Sequence, residues 1–596
     1  MKKLILFFTL ICALGITGCR KFLDKEPFSN LTPAKVFASA NDLAIYVNSF
    51  YVDQTPSAAY LATSDNTSDY ITGNTIPPIM SASTNANNAI ADQALNSANS
   101  GGWKASWPIL RNINYFLDNN TNSTIPLVTR NNYNGLARYF RAYFYYRMLK
   151  QYGDVPWYSH ALAPNDNELY KPQDPRTLVA DSIVADLNFA IANLTATKDP
   201  GSSTVTKWVA LALKSRFCLF EGTYRKYHTE LNLTGTASAF LNASLDASSQ
   251  IISSGNYKLH NTGSPTSDYR ALFTTETPWS DEVLLASVYS SSLKLYSSLN
   301  QLFISPTLGF RTSPIKQFIN CYLNADGSRF TDKSGYDTLS FVSEVKNRDL
   351  RLQQTIRCNG YKRANGTSAP PDFGYTYTGY DILKYSLDDT KSDLSGLNTN
   401  SVPVFRYAEI LLNAAEAKAE LGQFTAADWA STIAQIRLRA GITNALYPTK
   451  ADPYLTSTYF PNISDPALLE IRRERGVELF SEGLRFDDIK RWKAGQLMTM
   501  PYYGIYVPAM NTYYATNGDG VLNVDFVTTV PATTVKGVVY YLVPITSVNL
   551  TKGTSGNIHW LVNYDALRVW DDKFYYYPIP QSELVLNPKL KQNQGW

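Results

Sequence analysis

Asn131–Pro156 reads NNYNGLARYFRAYFYYRMLKQYGDVP. Leu136, Phe140, Phe144 and Met148 recur at four-residue steps, and Tyr139, Tyr143 and Tyr146 widen that stripe. This is the pattern of a helix buried along one side, and Gly153 with Asp154-Val155-Pro156 stops it. The same grammar extends in both directions. Upstream, Val36–Tyr51 is helical, and Trp103–Asn119 carries Trp103, Trp107, Leu110 and Asn114 on one face. Downstream come Asp181–Leu194, Lys207–Gly222 and Ala239–Ser253. Later still are Val404–Leu421, closed by Gly422, then Asp428–Ala440, and a helix opened by Asp465-Pro466 and running to Gly483. Helices of about 15 residues in pairs, punctuated by glycine, are the signature of tetratricopeptide-type hairpins, here without a strict 34-residue period.

Between these blocks the pattern changes. Residues 255–400 and 500–580 mix short strand-like runs, such as Val538–Val543, with Gly, Ser and Asn. The expected fold is mainly α: a helix-pair scaffold over about 35–255 and 403–495, with an irregular mixed α/β second lobe over about 256–402 and 496–580. Residues 54–102 are rich in Ser, Thr, Asn and Ala and read as long surface loops.

The N-terminus carries an address. After Lys2 and Lys3, Leu4–Ile16 is uncharged and about 13 residues long, short of the roughly 20 needed to span a membrane. Ile16-Thr17-Gly18-Cys19 then has the layout of a bacterial lipoprotein signal, in which the cysteine becomes residue one and takes lipid. Residues 1–18 are the expected signal peptide and 19–34 a lipidated tether. Stable attachment through lipid requires more than one acyl chain.

Composition excludes several functions. Net charge is only +4 and spread along the chain, with no basic block to follow a phosphate backbone, so nucleic acid is not an expected partner. Of five cysteines, Cys12 leaves with the signal and Cys19 takes lipid. Cys218, Cys321 and Cys358 form no C-x-x-C pair, and a single bridge among them stays open. His160, His228, His260 and His559 are isolated, which disfavours zinc. The chain lacks G-x-S-x-G, the P-loop, G-x-G-x-x-G and H-E-x-x-H. Asn517-Gly-Asp519-Gly resembles a fragment of a calcium loop and reads first as a turn, although it leaves room for a structural calcium ion. No other cofactor is expected.

Two constellations remain. The densest charges run from Glu470 to Lys493, acids and bases nearly in balance. Pairs such as Glu470 with Arg473 and Glu482 with Arg485 stand at helical spacing. This reads as an ion-pair network fixing a helix rather than a catalytic site. The second constellation is aromatic. With 41 Tyr, 27 Phe and 10 Trp, more rings are present than the helix stripes absorb. Aromatic faces stack on the C–H faces of sugars while nearby polar groups bond the hydroxyls. The candidate ligand contacts are Tyr60, Asp65, Asp69, Tyr70, Trp103, Trp279, Tyr289, Tyr296, Phe310 and Arg311.

In order along the chain, these pieces resemble the SusD/RagB-family surface lipoproteins of Bacteroidetes. Cys19-Arg-Lys-Phe22-Leu23-Asp24-Lys-Glu-Pro27 is similar to the family's mature start. Trp103-x-x-x-Trp107-x-x-Leu110-x-x-x-Asn114 resembles its W-x-x-x-Y-x-x-I-x-x-x-N helix, with Trp at the Tyr position. Phe140-Arg141-Ala142-Tyr143 leading to Tyr152–Pro156, Arg348–Arg351, Arg406–Leu412 with Glu416-Ala417, and Arg472–Arg475 through Glu482–Trp492 follow, and Asn587–Trp596 closes the series. The resemblance implies four tetratricopeptide-like helix pairs and a variable lobe. It also implies a lipid anchor on the outer face of the outer membrane, a glycan ligand, and a SusC-like TonB-dependent transporter as partner. It implies binding without cleavage, and a structural role for the charged block. Peptide uptake in the manner of RagB, a surface hydrolase, and a scaffold that binds only proteins are the rival readings.

Overall fold

The computed structural model describes residues 33–81, 102–305, 307 and 309–596. The signal segment, Cys19 and tether residues 19–32 lie outside the described residues, as does the 82–101 part of the expected loop region.

The scaffold is a row of helices, each laid against the next. They are α1 Ala40–Gln54, α2 Ala58–Thr63, α3 Trp103–Asn119, α4 Leu127–Tyr152, α5 Arg176–Asn193, α6 Lys207–Tyr227, α7 Ala237–Ser253, α8 Tyr407–Glu420, α9 Ile433–Arg439, α10 Pro466–Glu478 and α11 Arg485–Arg491. α4 packs on α1, α3 and α5; α5 on α6; α6 on α7; α7 on α8; and α8 on α10. The α7–α8 contact is the telling one, because residues 254–402 lie between these helices in sequence and yet leave them neighbours. The second lobe is an insertion into an otherwise continuous stack, and the fold is the mainly helical one that the periodicities predict.

The strands are short: β1 Ile71–Thr72, β2 Val283–Ser287, β3 Ser313–Pro314, β4 Val402–Arg406, β5 Tyr502–Val507, β6 Tyr513–Tyr514, β7 Val524–Val527, β8 Val539–Leu542, β9 Val548–Leu550 and β10 Gly556–Trp560. They make four small sheets: β1–β3, β2–β4, β5–β10–β9 and β6–β7–β8. β2 and β4 bring the start and end of the insertion together in antiparallel register, and β4 feeds directly into α8.

Several helix boundaries differ from the sequence reading, and four of them have an identifiable reason. α6 runs through Gly222 to Tyr227. Gly222 is not a stop; a Cβ there would stand 2.9 Å from Leu241 Cγ and 3.0 Å from the Leu241 backbone nitrogen, so glycine lets α7 approach closely. Val404 and Phe405 are strand, and α8 begins at Tyr407. The helix expected over 428–440 breaks at Thr432, whose hydroxyl donates to Asp428 O, the carbonyl that a continuing helix would use. α10 is capped by Asp465, which accepts from Ala467 N, with Pro466 in the first turn as expected. It ends at Glu478 rather than Gly483, because Ser481 (φ 59°) and Gly483 (φ 78°) turn the chain through the left-handed region.

That turn redirects the charged block. Glu470 does meet Arg473, at 3.3 Å. Glu482 does not pair with Arg485, since the helix that would align them has ended. Glu482 accepts instead from Arg406 Nε at 2.7 Å and Lys384 Nζ at 2.7 Å, and Arg485 pairs with Asp69 at 2.7 Å. The block is an ion-pair network and is nearly dry. Glu478 is fully buried and accepts from Arg406 at 2.5 Å, Arg351 at 2.8 Å and Arg439. Burial alone would raise the Glu478 carboxyl, but the Arg439, Arg406 and Arg351 guanidiniums hold it well below the usual 4.5. Cys218, Cys321 and Cys358 are free and buried; burial pushes the Cys218 thiol up to about 12, as befits a small core residue.

Replacing Glu478 by Gln leaves three buried guanidiniums facing a neutral amide and is expected to cost about 3–5 kcal/mol in urea denaturation. Because the folded pKa is depressed, the stability that Glu478 contributes is present above pH 4.5 and is lost only as pH falls through the lower folded value. The deficit of Glu478→Gln should therefore be flat between pH 5 and 8 and shrink in stronger acid; a deficit confined to alkaline pH would contradict this assignment. Gly222→Ala should destabilise by about 1–3 kcal/mol through overpacking against Leu241, although alanine is the better helix former. An increase in melting temperature would show that α7 can move away.

Candidate functional site

The antiparallel pairing of β1 with β3 sets Ile71 opposite Pro314 and Thr72 opposite Ser313. Two segments that are far apart in sequence, both read as aromatic-rich loops, thereby lie side by side. Just before β3 stand Phe310, 52% exposed, and Arg311, whose backbone is left-handed at φ 47°. Ser313 Oγ donates to Arg311 O at 2.7 Å and accepts from Tyr377 N at 2.8 Å, which fixes this turn against residues 373–377. The Arg311 guanidinium donates to Phe373 O at 2.6 Å and lies 4.0 Å from the centre of the Tyr377 ring. Tyr377 stacks in turn on Trp560 at 4.1 Å, the planes 11° apart. Trp560 Nε1 donates to Gly73 O at 2.8 Å, and Tyr541 Oη donates to Tyr377 O at 3.0 Å. The result is a three-layer stack of guanidinium, phenol and buried indole, which anchors the turn that carries the exposed Phe310. Each polar atom named is spent on backbone, so the ring faces keep their orientation.

A groove of about 330 Å³ adjoins the same segments. Ile304, Tyr375, Val539 and Pro371 supply its apolar wall, and Arg357, Arg363, Asp372, Asp393 and Asn523 its polar groups. Arg357 is buried and ion-paired with Asp381 at 3.2 Å; Arg363 pairs with Asp393 at 2.6 Å. Burial pushes the Asp381 carboxyl up to about 6, with Arg357 pulling it back. A ring platform beside a groove of paired planar groups suits a ligand with flat apolar faces and many hydroxyls.

Tyr377, Trp560 and Arg357 escape the sequence reading, because nothing local marks them. Tyr377 sits in a polar turn and Trp560 at the end of a strand about 180 residues away in number, roughly 600 Å of extended chain.

The other candidates are dispersed. Tyr289 is half-buried beside α2 and accepts from Ala58 N at 3.3 Å; Tyr296, 40% exposed, lies on the hairpin closed by the Ser290–Leu295 bridge. Trp279, 39% exposed, stacks on His260 at 4.2 Å. No ring contact joins these groups to Phe310 among the described residues.

Five further candidates have other surroundings. Tyr60 is on helix α2 rather than a loop, in a cleft of about 40 Å³ against Tyr143 and Tyr146, too small for a sugar. Asp65 is 2% exposed and accepts from Arg485 N at 3.1 Å; burial pushes its carboxyl up to about 7. Asp69 is bonded to the Arg485 guanidinium, and Tyr70 is buried between Phe318, stacked at 4.3 Å, and that same guanidinium at 3.9 Å. Trp103 is buried with its ring edge-on to Trp107 and Tyr152, lining an apolar cavity of about 550 Å³ against the C-terminal helix Gln581–Leu586. Asp65, Asp69 and Tyr70 hold the fold. In the calcium-like loop, Asn517 accepts from Gly360 N and Asp519 accepts from Ser368 Oγ and Val521 N, so both side chains tie the turn to residues 360–368.

The chain and its fold have known relatives. A family model described as "SusD family" matches residues 309–596, and one described as "Starch-binding associating with outer membrane" matches 21–219. The chain is 24% identical over 524 residues to SusD-like protein P2 of Formosa agariphila, covering 83% of this chain and 92% of that protein. It is 24% identical over 222 residues to SusD-like protein P25 of the same organism, a match spanning 41% of P25's length and 35% of this chain. The crystal structure of a SusD-like carbohydrate binding protein from Bacteroides fragilis superposes with a TM-score of 0.68 at 20% identity, covering 93% of this chain and all of that one. Helix row, inserted lobe and sequence matches agree: the chain belongs to the SusD/RagB family.

Proposed function

We propose that this chain binds oligosaccharides at the cell surface without cleaving them and delivers them to a SusC-like TonB-dependent transporter. The observation that carries the reading is the exposed ring of Phe310, on a turn anchored by the Arg311–Tyr377–Trp560 stack, together with the polar groove that Tyr375 lines. Sugar rings present alternating C–H faces and hydroxyl edges, and the site offers rings for the first and fixed planar groups for the second. A binding role is favoured over hydrolysis because the groove's two acids are engaged: Asp393 pairs with Arg363, and Asp372 accepts from Gly374 N. A general acid or base works from a cleft with a free face toward substrate. The family match to outer-membrane association supports the location, and among the described residues no helix is long and apolar enough to cross a membrane. In this reading Cys19 and the residues after it form a leash that keeps the binding protein beside its pore.

Calorimetry of the mature protein against plant, host and microbial glycans should find at least one ligand. If every glycan is ignored while a peptide co-purifies, the peptide-uptake reading replaces this one. Phe310→Ala removes an exposed ring and should leave the melting temperature unchanged while weakening the glycan about 5- to 30-fold, or 1–2 kcal/mol. Unaltered affinity would take Phe310 out of the site. Cys19→Ala should move the protein from the membrane to the soluble fraction and impair uptake, with ligand affinity unchanged; a variant that stays lipid-bound would overturn the anchor.

A further inference from the structure

A second recess, of about 430 Å³, lies behind the wall of the first groove and takes no part in the site just described. It opens between the helix Asp268–Thr274 and residues 353–361. Its floor is a fork-to-fork ion pair: Arg270 Nη1 donates to Asp388 Oδ2 at 3.0 Å and Nη2 to Oδ1 at 2.6 Å. Tyr361 Oη donates to the same Oδ1 at 2.7 Å. Burial would raise the Asp388 carboxyl, but Arg270 and Tyr361 hold it below the usual range, so it is ionised near neutral pH. A carboxylate offers about four lone-pair positions, and these three bonds leave capacity to accept more. The Asp388 side chain is 41% exposed, so that capacity is accessible. Around it stand the exposed amide of Gln353, the hydroxyl of Thr266 and the half-exposed ring of Tyr361.

The recess and the first groove share a wall. The Arg357 guanidinium, which lines the groove, lies 5.5 Å from the Tyr375 ring on the groove side and 5.9 Å from the Tyr361 ring on the recess side. Arg363, also in the groove, donates from Nε to Asp388 O at 3.0 Å. One run of chain, 357–363, therefore presents polar planar groups to both sides.

We infer that the recess is a second carbohydrate site, taking a neutral, hydroxyl-bearing sugar unit of the polymer that the first site holds. The chemistry is a planar carboxylate–guanidinium pair, an amide, a hydroxyl and one aromatic wall, the set that engages neighbouring hydroxyls on a ring. The ligand is neutral because the only charged side chains lining the recess are Arg270 and Asp388, and they cancel. Two sites on one chain raise polymer affinity without new contacts at either. The inference rests on the glycan reading above.

The test is native gel electrophoresis of the full mature protein through starch, xylan, galactomannan, mixed-linkage β-glucan and the anionic polymer alginate. Asp388→Asn should weaken retardation by a neutral polymer about tenfold. Gln353→Ala, at a surface position that leaves folding untouched, should weaken it about threefold. If the wild type and both variants are retarded alike, the second site is overturned and the first stands. If only alginate retards the wild type, the neutral class is overturned. If nothing retards it, the glycan reading falls and this inference with it.

Discussion

Glu478 is the point on which the architecture turns. A carboxylate with no exposure to water is tolerable only if surrounded by cations, and each of its cations comes from a different part of the chain. Arg351 rises from the inserted lobe, Arg406 stands where β4 becomes α8, and Arg439 ends α9. Arg351 reaches Glu474 and Asp349 as well, Arg406 reaches Glu282 and Glu482, and Arg437 ties α9 to Glu470 and Glu474. Desolvating so many charges contributes little net stability, but any arrangement that leaves one unpaired is strongly disfavoured. The network thus acts on specificity: it allows one mutual position of scaffold and insertion.

That fixed position places the platform proposed for ligand. β1 follows α2, whose Ala62 O accepts from Ser481 Oγ in the middle of the charged block. Asp69 is held by Arg485, and β1 begins two residues later. Pairing with β3 then carries Phe310 and Arg311 to the edge of the lobe, where Tyr377 and Trp560 complete the stack. The polar residues near the platform accordingly divide into two kinds. Asp65, Asp69 and Tyr70 face inward and anchor the strand, whereas Phe310 faces outward.

The helix-row scaffold is legible in the sequence because its signal is local. Every amphipathic stripe from α3 to α10 repeats at three and four residues, and caps such as Asp465-Pro466 act within one turn. The misplaced boundaries mark where a nonlocal contact overrides the pattern. Gly222 reads as a stop and is instead a contact point for Leu241. Glu482 and Arg485 read as partners and are separated by a left-handed turn. The site was only half visible. Exposed rings near 279–311 could be named as a class, but whether Tyr70 or Phe310 faces solvent depends on what packs above each.

The sequence by itself determined the element types, the near-neutral charged block, the loop regions rich in aromatics and the N-terminal motif at Cys19, since all depend on residues close together along the chain. Only the tertiary structure decided that residues 254–402 are an insertion between two touching helices, that Glu478 gathers Arg351, Arg406 and Arg439, and that Arg311, Tyr377 and Trp560 form one stack. The physical reason is the range of the forces involved. Periodicity and capping act over a few residues, whereas desolvated ion pairs and stacked rings are defined only once distant segments exclude water from the same place.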